Sequence, residues 1–488
     1  MMTDLPGTRA GSFRRDPAAG PGGVGGTRRP CEVLVLGGGT GGSAAAAAAR
    51  RAGAQVAMFN DDELGGLCIL RGCMPTKTLL HAAHLAHRAA HPVTAGIHVG
   101  GVEVDFAAVM ANKDAKVERF KRAKIAGIEK AGYDVIQASA RFTGPDTVEA
   151  GGETYRFTRG AVIATGSAPV VPPLPGIDEV AFLTSDDVMR LTRRPDSAVA
   201  IGTGAVGLEL SQFLARMGTR VTLVSRRRVL SGIDPLLADE MEKVLEGEPN
   251  LVLIQPVRPE RVSRGEGKVR VWLEGGRSVE AEALVVATGR RALLEELGLE
   301  AAGVEVAEGR VVCGADMRTS NPRVFVAGDA SGEEMILHIA SQEGHVAGVN
   351  AAGADPAESV DRRLAMRVVF TDPPLATLGL TETQARDKGI PVIPAHVFFP
   401  ETGRAITQDV RYGLCKFVAE ADRGEILGAQ ILGPRADDLV HTLAALMHYR
   451  GTAADMLAMP WYHPTLSEVF LSLAREIEGK RRSSQAGA

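Results

Sequence analysis

Two copies of one glycine spacing, set far apart, narrow the folds open to this chain more than any other feature. The first lies in EVLVLGGGTGGSAAAAAARRAGAQVAMFN, with Gly37, Gly39 and Gly42; the second lies in AVAIGTGAVGLELSQFLARMGTRVTLVSRRR, with Gly202, Gly204 and Gly207. In both, a short apolar strand leads in, a helix pattern follows and a second strand closes the unit. That context is what a dinucleotide-binding β-α-β unit needs. The first glycine permits a tight turn, the second lets the backbone approach a pyrophosphate, and the third lets helix and strand pack, with the phosphate on the helix N-terminus. The alanines behind Gly42 are packing residues. At 488 residues the chain has room for roughly three domains of about 150 residues. The pattern predicts an α/β protein with two Rossmann-like domains and a further C-terminal domain.

The residue closing the second strand of each unit bears on the coenzyme, because an acid there takes the ribose hydroxyls whereas arginines accommodate a 2′-phosphate. The first unit ends at Asn60, followed by Asp61 and Asp62; the second ends at Ser225, followed by Arg226, Arg227 and Arg228. No acid stands at Ser225, and guanidinium groups grip a phosphate in two places. The second unit is therefore expected to bind NADPH in preference to NADH, through Arg226 and Arg227. The competing reading is a merely solvated basic turn.

The stretch GGLCILRGCMPTK, Gly65 to Lys77, puts Cys68 and Cys73 just ahead of a helix start. Pro75 suits a first helical turn and TKTLLHAAHLAH reads as helical, so free N–H groups and the helix dipole favour a thiolate at Cys73. Alone, the pair reads more readily as two buried thiols or a structural disulfide. Five cysteines with one close pair do not form an extracellular disulfide framework, and a reducing compartment fits better. A net charge of −4 offers no basic field for nucleic acid or anionic lipid, and no run of about 18 apolar residues provides a membrane span. Residues 1–30, rich in Gly, Pro, Arg and Ala, are expected to form a disordered tail, and the protein to be cytoplasmic.

Further motifs occur along the chain: ATG turns ending at Gly166 and Gly289, TSNPRVFVAGD ending at Asp329, FTDPPLATLGLTE, GEILGAQILGP and the C-terminal HPTLSE. With these, the chain resembles the flavoprotein pyridine nucleotide-disulfide oxidoreductases from about Cys31 to about Arg475. That family includes dihydrolipoyl dehydrogenase, glutathione reductase, mycothione reductase and mercuric reductase. The resemblance implies an FAD-binding domain over 31–165 and 290–358, an NAD(P)-binding domain over 166–289 and an α+β dimerisation domain over 359–488. It implies that Asp329 holds the ribityl chain of FAD, with Gly166, Gly289 and His338 also among the cofactor-binding residues. Cys73 would face the flavin and Cys68 the substrate. Lys77 would sit near flavin N5 and pair with Glu209, and a helix starting near Met335 would aim its positive end at the flavin. His463, oriented by Glu468, would reach across a homodimer interface as general acid and base, so each active site would be shared. The bond before Pro464 becomes a candidate for the cis form. Electrons would pass from NADPH by way of FAD and the Cys68–Cys73 disulfide to a small-molecule disulfide, or the reverse from a dithiol.

Departures from the family pattern fall at Asn60, where an acid is usual, at Leu67, where a small hydroxyl residue is usual, and at Ile69, Leu70 and Arg71 between the cysteines. The segments LHIASQEG and PTLSE resemble dihydrolipoyl dehydrogenase, while Ser225 with its arginines does not. An NADPH-dependent disulfide reductase reconciles the two. Mercuric reductase is the runner-up, because no CxxC metal-binding domain precedes the fold and no cysteine pair ends it. Behind it stand a quinone-reducing flavoprotein and a binding subunit of a 2-oxo acid dehydrogenase complex. His81, His84, His87 and His91 share a helix, but no Cys or carboxylate completes a metal set, so no metal is expected. Cys31, Cys313 and Cys415 read as buried inert thiols.

Overall fold

The computed structural model describes residues 29–486. Residues 1–28 of the expected tail lie outside the described residues, and Arg29 and Pro30, counted in that tail, instead begin the first strand. The strand β1 (Arg29–Leu36) leads through the first glycine turn into α1 (Thr40–Arg51) and out to β2 (Val56–Asn60). Two helices follow, α2 (Gly66–Leu70) and α3 (Cys73–Ala90), and then the long α4 (Phe106–Ala131). Asp105 starts α4 by accepting the Ala108 N–H at 3.0 Å, and Gly132, at φ 69°, ends it in the left-handed region. The strands β3 (Asp134–Gln137), β4 (Ala140–Gly144), β5 (Thr147–Ala150) and β6 (Glu153–Ile163) complete a sheet ordered β3-β2-β1-β6-β5-β4. Strand Val324–Val326 returns from far along the chain to pair with β6 in parallel. This sheet carries both the first glycine turn and Asp329.

The alanines of α1 have a packing purpose. Helix Leu337–Ala351 lies on α1 so closely that a Cβ added at Gly344 would sit 2.3 Å from the Gly41 carbonyl oxygen, and one at Gly348 would sit 2.2 Å from that of Ala45. Only small residues on both helices permit that approach. The helix starts at Leu337 rather than near Met335, because Ile336 keeps extended backbone angles.

The second unit is a four-stranded parallel sheet of Leu251–Ile254, Arg220–Val224, Ser197–Ile201 and Ala283–Val286, in that order, with helix Ala205–Arg216 behind its glycine turn. The C-terminal part is a five-stranded antiparallel sheet, ordered Met366–Val369, Leu375–Gly379, Ile426–Leu432, Leu414–Glu420 and Val392–Phe398. It packs on helices Ala436–His448 and Val469–Ala486, with Phe399, Phe417 and Phe470 fully buried between them.

Candidate active site

The two glycine turns are near copies. Gly37 has φ +112° and an added Cβ would meet the Ala164 carbonyl oxygen at 2.2 Å; Gly202 has φ +116° and would meet that of Ala287 at 2.3 Å. A Cβ at Gly42 or Gly207 would lie 1.8 or 1.9 Å from the carbonyl oxygen of the first glycine of its turn. Gly39 and Gly204, by contrast, face open space, and no side chain caps the helix behind either. Free helix-end N–H groups behind an open glycine are what a pyrophosphate needs, so both turns fit a dinucleotide. Gly166 and Gly289, at φ +80° and +125°, also face open space.

The strand ends differ as the sequence does. Asn60 is buried; its side-chain oxygen accepts the Gly38 N–H at 3.2 Å, and its amide donates to the Asp62 carbonyl. Both polar ends of that side chain therefore brace the turn. At the second strand end Ser225 is buried and hydrogen-bonded to Thr203 at 2.9 Å. Arg228 is held by Asp239 and Glu242 at 2.6 and 2.8 Å. Arg226 and Arg227 are exposed and, among the described residues, make no ion pair.

Cys68 lies in α2 and Cys73 opens α3, with Gly72 between the helices; both thiols are free and half-buried. Gly72 lets the chain double back, since a Cβ there would press on the Leu67 carbonyl oxygen at 3.0 Å. Cys68 donates a hydrogen bond to Cys73, which draws Cys73 down from 9.0 to about 7; the Lys77 ammonium one turn on adds to this, and burial opposes it. The same bond, with burial, pushes Cys68 up. The arrangement thus favours the negative charge on Cys73 over Cys68. Lys77 binds Glu209 at 2.8 and 3.1 Å and lies 4.6 Å over the Phe370 ring. Glu209, 4% exposed, also accepts the Phe370 N–H at 2.9 Å.

Asp329 accepts a hydrogen bond from Ser167, whose hydroxyl in turn accepts from Arg290 at 2.9 Å. Arg290 lies 3.9 Å from Asp186, and Arg71, from between the cysteines, reaches Asp186 at 3.4 Å and Asp62 at 2.7 Å. Sequence reasoning missed Arg290 and Asp186; no short motif contains them. His338 lies in the first turn of its helix, with Nε2 buried and without a hydrogen-bond partner among the described residues. Burial and the nearby His441 lower its pKa, which favours the neutral ring. An orphaned ring nitrogen on this helix end, together with Asp329, Lys77 and the first glycine turn, fits an isoalloxazine dinucleotide such as FAD.

His463 precedes a cis peptide bond to Pro464, and its Nδ1 meets Glu468 at 2.9 Å. Glu468 also accepts the Thr465 N–H at 2.8 Å; that bond first and His463 second hold its carboxyl below the usual range. The His463 side chain is 76% exposed and Tyr462 is 84% exposed. His84, held neutral by burial with a pKa of about 4, meets Arg216 at 2.8 Å, and His87 stacks on His91. Among the described residues no three His, Cys, Asp or Glu side chains are grouped to hold a metal, and no helix is long and apolar enough to cross a membrane. Of the three remaining cysteines, Cys415 is buried, whereas Cys31 and Cys313, expected to be buried, are only partly so: Cys31 lies near the start of β1, and Cys313 lies outside the named strands in an isolated bridge to Thr319.

Residues 31–344 match the family described as pyridine nucleotide-disulphide oxidoreductase, and residues 365–474 match its dimerisation domain. The chain belongs to this family. Among similar family members, mercuric reductase of Bacillus cereus is 34% identical over 409 residues, which cover 83% of this chain and 64% of that protein. The chain thus spans less than two thirds of that relative. Dihydrolipoyl dehydrogenase of Geobacillus stearothermophilus is 34% identical over 452 residues, covering 91% of this chain and 95% of that one. The HOCl-induced flavoprotein disulfide reductase RclA of Escherichia coli superposes with a TM-score of 0.80 at 25% identity, over 91% of this chain and 99% of that one. As a pyridine nucleotide-disulphide oxidoreductase the chain has a fold made for FAD and a pyridine nucleotide. Equal identity to two enzymes with different substrates leaves the choice of substrate to the site residues.

Proposed function

We propose that this family member is an FAD-dependent NAD(P)H:disulfide oxidoreductase that prefers NADPH and acts through Cys68 and Cys73 as a homodimer. The observation that carries the reading is the charge arrangement at Cys73. Its thiolate is stabilised by a helix N-terminus, the Cys68 hydrogen bond and the Lys77 ammonium. Bound FAD, held by the first glycine turn, Asp329 and the Lys77 side, would supply two-electron transfer between the nicotinamide and the sulfur pair. Cys68 is the one that exchanges with substrate, once its proton is removed, since the thiolate is the attacking form. His463, oriented by Glu468 and exposed in the single chain, protonates the leaving thiolate in the partner subunit's site. On this reading residues 31–165 and 290–358 bind FAD, 166–289 bind the nicotinamide coenzyme and 359–488 form the dimer.

The test is a steady-state assay of the purified flavoprotein against lipoamide, glutathione disulfide, mycothiol disulfide and Hg(II), since a dithiol pair also ligates a soft metal ion. Turnover of a disulfide that disappears in Cys68→Ser and Cys73→Ser supports the proposal. Full activity of the double variant toward a quinone, with none toward any disulfide, would overturn it. For the coenzyme, the free guanidinium groups of Arg226 and Arg227 support NADPH. A preference for NADPH that collapses in the Arg226→Ala, Arg227→Ala variant is expected, and a native preference for NADH would refute it.

A further inference from the structure

The helix α2 carries Cys68, yet it has only five residues and none of them is fully buried. So short a helix has no stability of its own, and without a core-facing side chain something other than apolar packing must fix its direction. Its N-terminal end rests on the first glycine turn, where a Cβ added at Gly66 would lie 2.6 Å from the Gly39 Cα. Its C-terminal end is Arg71, followed by the Gly72 turn into α3. A guanidinium between two cysteines is well placed to hold a substrate anion, but this one, 24% exposed, is occupied by the protein's own carboxylates. Its Nη2 donates to Asp62 at 2.7 Å, and its Nε lies 3.4 Å from Asp186, an ion pair without an aligned hydrogen bond. Asp62 stands just past β2, and its backbone carbonyl takes the Asn60 amide, so the departures at Asn60 and Arg71 meet on one residue. Asp186 is buried on the short helix Ser185–Val188 that leads into the second nucleotide unit, with Arg290 3.9 Å from its other oxygen.

We infer that Arg71 is a positioning residue: it ties the end of α2 to Asp62 and Asp186, holds Cys68 within reach of Cys73, and so sets the stability of the Cys68–Cys73 disulfide without touching substrate. This rests on the disulfide reading above. Closing the Cys68–Cys73 bond gives up two electrons and two protons; the substrate disulfide takes them and leaves as two thiols, and NADPH restores the electrons. How favourable that closure is depends on the effective concentration of one thiol at the other. With Arg71 fastened on two sides the last residue of α2 stays in place and the thiols keep meeting. Once it is released, α2 swings about Gly66 and Gly72 and they meet less often. Arginine suits the task because its planar fork bonds two carboxylates at once, whereas a lysine ammonium is a single point charge.

The holoenzyme tests this when it is equilibrated in dithiothreitol redox buffers, alkylated and read by mass spectrometry. Arg71→Met should lower the equilibrium constant for closing the disulfide about tenfold, which is about 30 mV on a two-electron couple. Arg71→Lys and Asp62→Asn, which each leave part of the tie, should fall between that variant and the native protein, and they carry the same test if Arg71→Met does not fold. Asp186→Asn should shift the native protein several-fold but add less than about twofold to Arg71→Met, since its partner is then already gone. The KM values for the anionic 5,5′-dithiobis(2-nitrobenzoate) and the neutral 4,4′-dithiodipyridine should move together. An unchanged equilibrium in Arg71→Met would overturn the inference, as would a rise in KM confined to the anionic reagent, which would make Arg71 a substrate ligand. A native oxidised protein without a Cys68–Cys73 disulfide would instead refute the reading on which the inference stands.

Discussion

Cys73 owes its acidity to one neighbour first and to its helix and Lys77 second, and that ranking is open to measurement. Replacing Cys68 by Ala removes the hydrogen-bond donor, so the Cys73 pKa should climb from about 7 toward the ordinary thiol range. Replacing it by Ser keeps a donor and should hold the value near its native level. The pH dependence of thiolate absorbance or of iodoacetamide alkylation reads both. The sign for stability follows from linkage. A thiol whose pKa is depressed on folding contributes stability above its unfolded pKa and loses it as pH falls through the folded one. The dithiol protein should therefore gain stability over Cys73→Ser between pH 7 and 9, seen as a growing difference in Tm. At still higher pH the raised Cys68 works the other way. The cysteine pair, Lys77, Asp329 and His463 could each be singled out from the sequence, because each belongs to a motif with fixed local spacing. Arg290 and Asp186 were not. Their meaning lies in partners far along the chain, and no periodicity distinguishes them from any other charged residue. Asn60 was legible as a departure, but not as a brace for its own glycine turn.

Two elements show how helices far from the cysteines hold the site. Arg216 ends helix Ala205–Arg216 with a side chain only 4% exposed, bound to Glu248 at 2.8 Å and Asp372 at 2.9 Å. It joins the second nucleotide unit to the loop between the first two strands of the C-terminal sheet, with His84 of α3 alongside. Removing one member of a buried ionic network strands the others, so Arg216→Ala should cost about 3–5 kcal/mol in urea unfolding. The second element is the contact of α1 with helix Leu337–Ala351. Gly344→Val cannot be accommodated beside the Gly41 carbonyl without parting the helices; overpacking of this kind costs about 1–3 kcal/mol. Because Gly41 lies in the turn that would cradle a pyrophosphate, the variant should purify with markedly less flavin, measured by absorbance per protein. The run of alanines in α1 was readable as packing. Its partner was not, since helix Leu337–Ala351 lies some three hundred residues away.

At the scale of the molecule, the exposed His463 and Tyr462 lie on the chain's own surface rather than in a closed site. If each site takes its acid and base from a second subunit, two inactive variants should repair one another. Mixed and refolded one to one, Cys68→Ser and His463→Gln subunits should form about half heterodimers, each with one intact site, and recover about a quarter of the native activity. No recovery would argue for sites complete within one chain. The two-unit plan was readable because the glycine turns are local. The five-stranded antiparallel sheet was reached through resemblance alone, for its strands alternate too weakly to be told from other apolar runs. Glu209 carries one more consequence. Its carboxylate is fastened to Lys77 on the cysteine helix and to the Phe370 backbone just after the first strand of the C-terminal sheet, while its own helix belongs to the second nucleotide unit. A chimera that borrows residues 166–289 from a relative to change coenzyme therefore has its true seam at this side chain rather than at the loop ends. Grafts that bring a glutamate there should mate with the host, and grafts that bring anything else should arrive with two broken joints.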